Sequence, residues 1–154
     1  MLRRCRRATI RDVSRTVLIV DDHEGFRRTA RELLEADGFD VVGEAADGEN
    51  AIADAGRLRP QFVLLDVGLP DIDGFEVAKR LAQGSDPPTV VLTSSRDASG
   101  YRRRLALSPA RAFIPKSELS GDALAALLGQ KLDIDTSPDA NRRVLAVLTY
   151  LRSP

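Results

Sequence analysis

Four short apolar runs, each closed by a polar side chain, constrain this chain more than any other feature. Val17-Leu18-Ile19-Val20 leads into Asp21 and Asp22, and Phe62-Val63-Leu64-Leu65 leads into Asp66. Further on, Val90-Val91-Leu92 ends at Thr93, and Phe113-Ile114-Pro115 at Lys116. Short runs without polar alternation suit strands covered on both faces by helices. In an open parallel α/β sheet the C-terminal strand ends share one edge, where ligands bind. The pattern therefore gathers three carboxylates, one hydroxyl and one ammonium into a single pocket. That set suits a divalent cation together with a phosphoryl group.

The intervening segments read as helices. Phe26, Ala30, Leu33 and Leu34 mark an amphipathic helix over residues 24–37, with Gly38 placed to end it. Val41-Val42 is a short strand. Ala51, Ile52, Ala55 and Leu58 mark a helix over residues 49–58, stopped by Pro60. Leu69 to Gly74 is a Gly/Pro-bearing loop before a third helix from Phe75 to Gln83. Pro87-Pro88 introduces a strand over Thr89–Leu92, followed by a weaker, Arg-rich helix over residues 97–107. Ala112–Ile114 forms the fifth strand, and Ser120 to Lys131 the fifth helix. Five alternating units predict a parallel sheet wrapped by helices on both faces. Residues 1–15 form a basic, floppy N-terminal arm, residues 16–131 the α/β domain, and residues 132–154 a tail. Pro138–Leu151 in that tail offers one more amphipathic helix.

Composition narrows the function classes. The chain has 154 residues, 43% of them hydrophobic and 30% charged, enough for one ordinary core. Formal net charge is +0, so no global field draws it to nucleic acid. Cys5 is the only cysteine, which excludes an intramolecular disulfide and a Cys metal cluster. No apolar stretch approaches a membrane span. The first apolar run is too short for an export signal and leads straight into acidic residues. These features predict a cytoplasmic protein.

Like charges converging in one pocket are costly unless a cation neutralises them, which points Asp21, Asp22 and Asp66 toward a metal. Mg²⁺ (or Mn²⁺) takes oxygen ligands and retains waters, so these carboxylates and the Gly68 backbone carbonyl suffice. No GxxxxGK[ST] loop is present. Asp66 closes the most apolar strand and is the candidate nucleophile for an acyl phosphate. Such transfer rests on positioning and on neutralising phosphoryl oxygens. Lys116 would supply positive charge, the Thr93 hydroxyl a hydrogen bond, and the Ser94 backbone amide another.

Over residues 16–131 the chain resembles the receiver domain of two-component response regulators, of the LuxR type. The likeness rests on Val-Leu-Ile-Val-Asp21-Asp22-His23 and on Leu-Leu-Asp66-Val-Gly-Leu-Pro-Asp-Ile-Asp-Gly. Thr93 in Val-Val-Leu-Thr-Ser-Ser and Lys116 in Phe-Ile-Pro-Lys complete it. The resemblance implies a flavodoxin-like, doubly wound sheet of order 2-1-3-4-5 with five flanking helices. It implies Mg²⁺-dependent phosphorylation of Asp66 by a histidine kinase, or by a phosphotransfer protein. It also implies a switch shared by Thr93 and Phe113, read out on the face of helix four, strand five and helix five. Phe113 cannot make a tyrosine's hydroxyl contacts, so only the rotamer part of that switch carries over. Ser117 follows Lys116 where many receivers have proline, which disfavours a cis bond there. Pro115 lacks an amide donor, so strand five is expected to fray or lie at an edge.

The tail segment Ser137-Pro138-Asp139-Ala140-Asn141-Arg142-Arg143-Val144-Leu145 resembles the linker helix before a LuxR-type helix-turn-helix domain. Nothing follows Pro154, so specific DNA binding by this chain is not expected. It reads as a stand-alone receiver or as the receiver of a DNA-binding regulator cut before its effector. A small-molecule phosphatase of related fold would need a cap insertion, and none is long enough. Nucleic-acid binding through Arg102-Arg103-Arg104 and the basic arm is the remaining class. The only catalysis expected is self-phosphorylation from a donor and self-dephosphorylation, with output through a downstream protein or a second copy.

Overall fold

The computed structural model describes residues 15–96, 98–120, 122–124 and 126. Five strands form one parallel sheet: β1 (Thr16–Val20), β2 (Asp40–Ala45), β3 (Phe62–Asp66), β4 (Thr89–Ser94) and β5 (Ala112–Pro115). Their order is β2-β1-β3-β4-β5, the flavodoxin-like doubly wound arrangement. Four helices connect them: α1 (Glu24–Ala36), α2 (Gly48–Leu58), α3 (Gly74–Ala82) and α4 (Arg102–Leu107). Residues 122–124 and 126 are helical and open a fifth. The expected basic arm, the remainder of the expected Ser120–Lys131 helix and the expected Pro138–Leu151 helix lie outside the described residues.

Every residue of β3 is buried, as its unbroken apolar sequence requires of the central strand. Burying both faces of β1, β3 and β4 makes the core one cluster running through the sheet, with Ala30 and Leu34 of α1 on it. Leu33, expected on the buried stripe, is 39% exposed, so the inner face of α1 is narrower than the spacing indicated. β2 is longer than Val41-Val42. A bulge after Val41 lets Gly43, Glu44 and Ala45 pair with Leu18, Ile19 and Val20. Gly43 and Glu44 are poor strand formers, and tertiary pairing overrides that local preference.

The Arg-rich fourth helix also differs from expectation. Residues Ala98–Tyr101 form a 3₁₀ turn, and the α-helix begins only at Arg102. Ser99-Gly100 carry low helix propensity, and no side chain caps the helix start at Tyr101. β5 is the sheet edge, the place where Pro115 costs no ladder bond on its outer side. No cis peptide bond occurs among the described residues. Arg59, in the left-handed region at φ 53°, closes α2 before Pro60.

Candidate functional site

The C-terminal ends of β1, β3, β4 and β5 converge on one acidic pocket. Carboxylate oxygens of Asp21, Asp22 and Asp66 all lie within 4.8 Å of one another. Asp21 is fully buried, Asp66 is 6% exposed, and Asp22 faces solvent. The Lys116 ammonium reaches in from the end of β5, 2.6 Å from Asp21 Oδ2 and 3.4 Å from Asp66 Oδ1. It also lies 4.5 Å from the centre of the Phe26 ring on α1. Three carboxylates against one ammonium leave the cluster net negative. Burial, reinforced by the neighbouring Asp21 charge, raises the Asp66 pKa even against Lys116. Burial also works against the Lys116 ammonium, but its contacts with Asp21 and Asp66 outweigh it and raise its pKa.

Asp21 is hydrogen-bonded through its amide, its carbonyl and Oδ1, while Oδ2 has the Lys116 ion pair alone. Its amide donates to the Ala45 carbonyl at 3.0 Å, and its Oδ1 accepts from the His23 amide at 2.8 Å. Its carbonyl accepts from Arg27 at 2.7 Å. Arg27 in turn donates to Glu44 at 3.0 Å, and Arg31 holds the other oxygen of Glu44 at 2.7 Å. The Arg31 hydrogen bond, with that of Arg27, keeps the Glu44 pKa below its ordinary value. Sequence reasoning did not pick out Arg27. His23 contributes its amide as the N-cap of α1, with no side-chain cap bond.

The loop after Asp66 is fixed by two aspartates. Asp71 accepts from the Gly48 and Glu49 amides at 2.8 and 2.9 Å, tying the loop to the start of α2. Those amides, Gly48 first, lower its pKa to about 2. Asp73 caps α3 by accepting from the Glu76 amide at 3.0 Å and pairs with Arg104 of α4. Gly74 is required by contact. A Cβ there would stand 2.4 Å from the Asp66 carbonyl oxygen. Gly68 sits beside the acidic group, a Cβ built on it falling 3.9 Å from Asp66 Oδ2.

On the other side, Thr93 is the register partner of both Asp66 and Ile114. It is 1% exposed, and its Oγ1 has no hydrogen-bond partner. A buried hydroxyl without a partner is costly. The adjacent Ser94 is 5% exposed. Its Oγ accepts from the Arg96 amide at 3.0 Å and lies 3.2 Å from the Tyr101 hydroxyl. Phe113 is fully buried, 6.1 Å from the Tyr101 ring. Sequence reasoning missed Tyr101, although the want of a hydroxyl at Phe113 was a reason to look for a tyrosine nearby.

The family model described as the response regulator receiver domain matches residues 17–128. The chain belongs to that family. Phosphorylation-controlled switching is the general function of these receivers, which serve two-component systems. BvgA of Bordetella pertussis, a transcription regulator of virulence factors, is 38% identical over 102 residues, 66% of this chain and 49% of that one. A protein-glutamate methylesterase/protein-glutamine glutaminase of Alkalilimnicola ehrlichii is 38% identical over 110 residues, 68% of this chain and 28% of that one. The signal receiver domain of the response regulator NarL from Mycobacterium tuberculosis superposes with a TM-score of 0.66 at 30% identity. That alignment covers 74% of this chain and 96% of that one. The chain spans about half the length of the first curated relatives it matches. BvgA and the methylesterase differ in kind as whole proteins.

Proposed function

We propose that Asp66 is the phosphoacceptor of this receiver and that a histidine kinase or phosphotransfer protein is the donor. An Asp66 carboxylate oxygen would attack phosphorus as the bond to the donor imidazole nitrogen breaks, leaving an acyl phosphate. The observation that carries the reading is the setting of Asp66: buried, flanked by two carboxylates, within 3.4 Å of Lys116 and register-paired with an unpartnered Thr93 hydroxyl. Lys116 would counter charge on the phosphoryl oxygens, and Thr93 Oγ1 and the Ser94 amide would donate to them.

The residues present fit a divalent cation. Their net negative charge calls for one, and the Asp21, Asp22 and Asp66 carboxylates with the Gly68 carbonyl would hold Mg²⁺ or Mn²⁺. When bound, such an ion neutralises developing charge on the transferring group. Asp21 would keep Lys116 in place, and Lys116 in turn would orient the Asp66 oxygen it touches.

Readout would use the face formed by α4, β5 and the fifth helix. Leu107 there is 82% exposed, and Arg102, Arg103 and Arg104 share its helix. The partner would be a downstream protein or a second copy of the chain, in the cytoplasm. The likeness to BvgA supports a second reading, in which this receiver governs a DNA-binding effector. Incubation with acetyl phosphate and Mg²⁺ should add one phosphoryl group by intact mass. Uptake at an undiminished rate by Asp66→Asn would defeat the assignment.

A further inference from the structure

The aromatic side chains on the β4–α4 side form a connected path from the pocket to the surface. Tyr101 lies between Phe75 of α3, at 5.8 Å between ring centres, and Phe113 of β5, at 6.1 Å. The Arg104 guanidinium lies over the Phe75 ring at 4.2 Å and pairs with Asp73, the cap of α3. The Tyr101 hydroxyl is 3.2 Å from Ser94 Oγ, one residue beyond Thr93. A phenol on the 3₁₀ turn before α4 is therefore joined directly to the strand end that closes the pocket.

This arrangement answers a deficit in β5. Phe113 has no hydroxyl and is fully buried, so its side chain offers no polar contact to β4. Ser94 Oγ already accepts from the Arg96 amide. Its remaining capacity goes to Tyr101, with either oxygen able to donate. Thr93 Oγ1, by contrast, is tied to nothing. A group arriving at Asp66 and satisfying that hydroxyl would shift the Thr93–Ser94 segment. Ser94 would carry the shift to Tyr101, and Tyr101 to α4.

We infer that Tyr101 is a positioning residue: through Ser94 Oγ its hydroxyl sets the Thr93–Ser94 end of β4 and links that end to α4. The inference rests on the phosphoacceptor reading of Asp66, and it adds a regulatory residue on the chain's own fourth helical segment. It predicts that Tyr101→Phe, which keeps the ring packing, alters the pocket at a distance. So should Ser94→Ala, which keeps the backbone amide.

The test is a double-mutant cycle on the full chain, using the lifetime of the phosphoryl group on Asp66 and amide exchange over residues 98–107. Each single variant should change the lifetime about three- to tenfold, the worth of one neutral hydrogen bond. Each should also lose exchange protection in α4. The double variant should match the singles, because one link is removed once. Ser94→Thr, which restores a hydroxyl, should recover wild-type behaviour. Unchanged lifetime and protection in Tyr101→Phe, or additive effects in the double variant, would overturn the inference while leaving Asp66 as acceptor. Wild-type protein that takes up no phosphoryl group would defeat both.

Discussion

The two strands that flank β3 end very differently. At the end of β1, Asp21 is hydrogen-bonded through its amide, its carbonyl and Oδ1 and ion-paired to Lys116 through Oδ2, backed by the Arg27–Glu44–Arg31 network. At the end of β4, the Thr93 hydroxyl is buried without a partner, and a 3₁₀ turn and a helix of only six residues, α4, follow it. One side of the pocket is pre-organised, so that three carboxylates stay together despite their repulsion. The other side is under-satisfied, so that under the proposed function a new acceptor at Asp66 would change its equilibrium. A receiver needs both properties. Chemistry requires fixed charges, and signalling requires an element with two arrangements that the phosphoryl group biases.

Perturbing the braced side should have the largest effect. Arg27→Met removes a donor from the Asp21 carbonyl while Glu44 keeps Arg31. A loss of about 2 kcal/mol in denaturant unfolding is expected, typical of a hydrogen bond from a charged group. Mg²⁺ affinity by calorimetry should fall with it. Full stability and unchanged Mg²⁺ affinity would show that Arg27 does not brace the site. On the soft side the sign should reverse. Thr93→Val replaces the unpartnered hydroxyl with a methyl group of similar shape. It should stabilise the unphosphorylated protein by about 1 kcal/mol, because a buried polar group without a partner is removed. The same variant should accept a phosphoryl group more slowly. Clear destabilisation would mean that Thr93 is already satisfied and that the contrast between the strand ends is wrong.

Much of this was legible in the sequence because apolar runs ending in Asp, Thr and Lys state both a strand and its polar terminus. Asp66 and Lys116 required nothing more than the parallel-sheet rule. The bracing was not legible. Arg27 matters only because β2 continues past Val42 and brings Glu44 beside it, a continuation that Gly43 and Glu44 locally oppose. Tyr101 was hidden because residues 98–101 sit in an Arg-rich stretch whose 3₁₀ turn, rather than a regular helix, aims the phenol at Ser94. Asp71 looked like one of several loop acids until the fold placed α2 beneath it.

The smallest expected effect concerns that loop acid, which belongs to the braced half. The folded pKa of Asp71, about 2, lies below the ordinary carboxylate value. Its stabilisation is therefore present above the ordinary value and lost as pH falls through about 2. Asp71→Ala should melt slightly lower than wild type at neutral pH, and the gap should close as the medium becomes strongly acidic. A gap that widened on acidification would assign Asp71 to the wrong partners.

The most direct test of the division between a fixed half and a responsive half is amide exchange on the wild-type chain, with and without beryllofluoride and Mg²⁺. Changes in protection are expected at the end of β4, in residues 98–107 and in β5, with β1, α1 and β2 left nearly as they were. Changes confined to α1 and β2, or none anywhere on binding, would contradict the account.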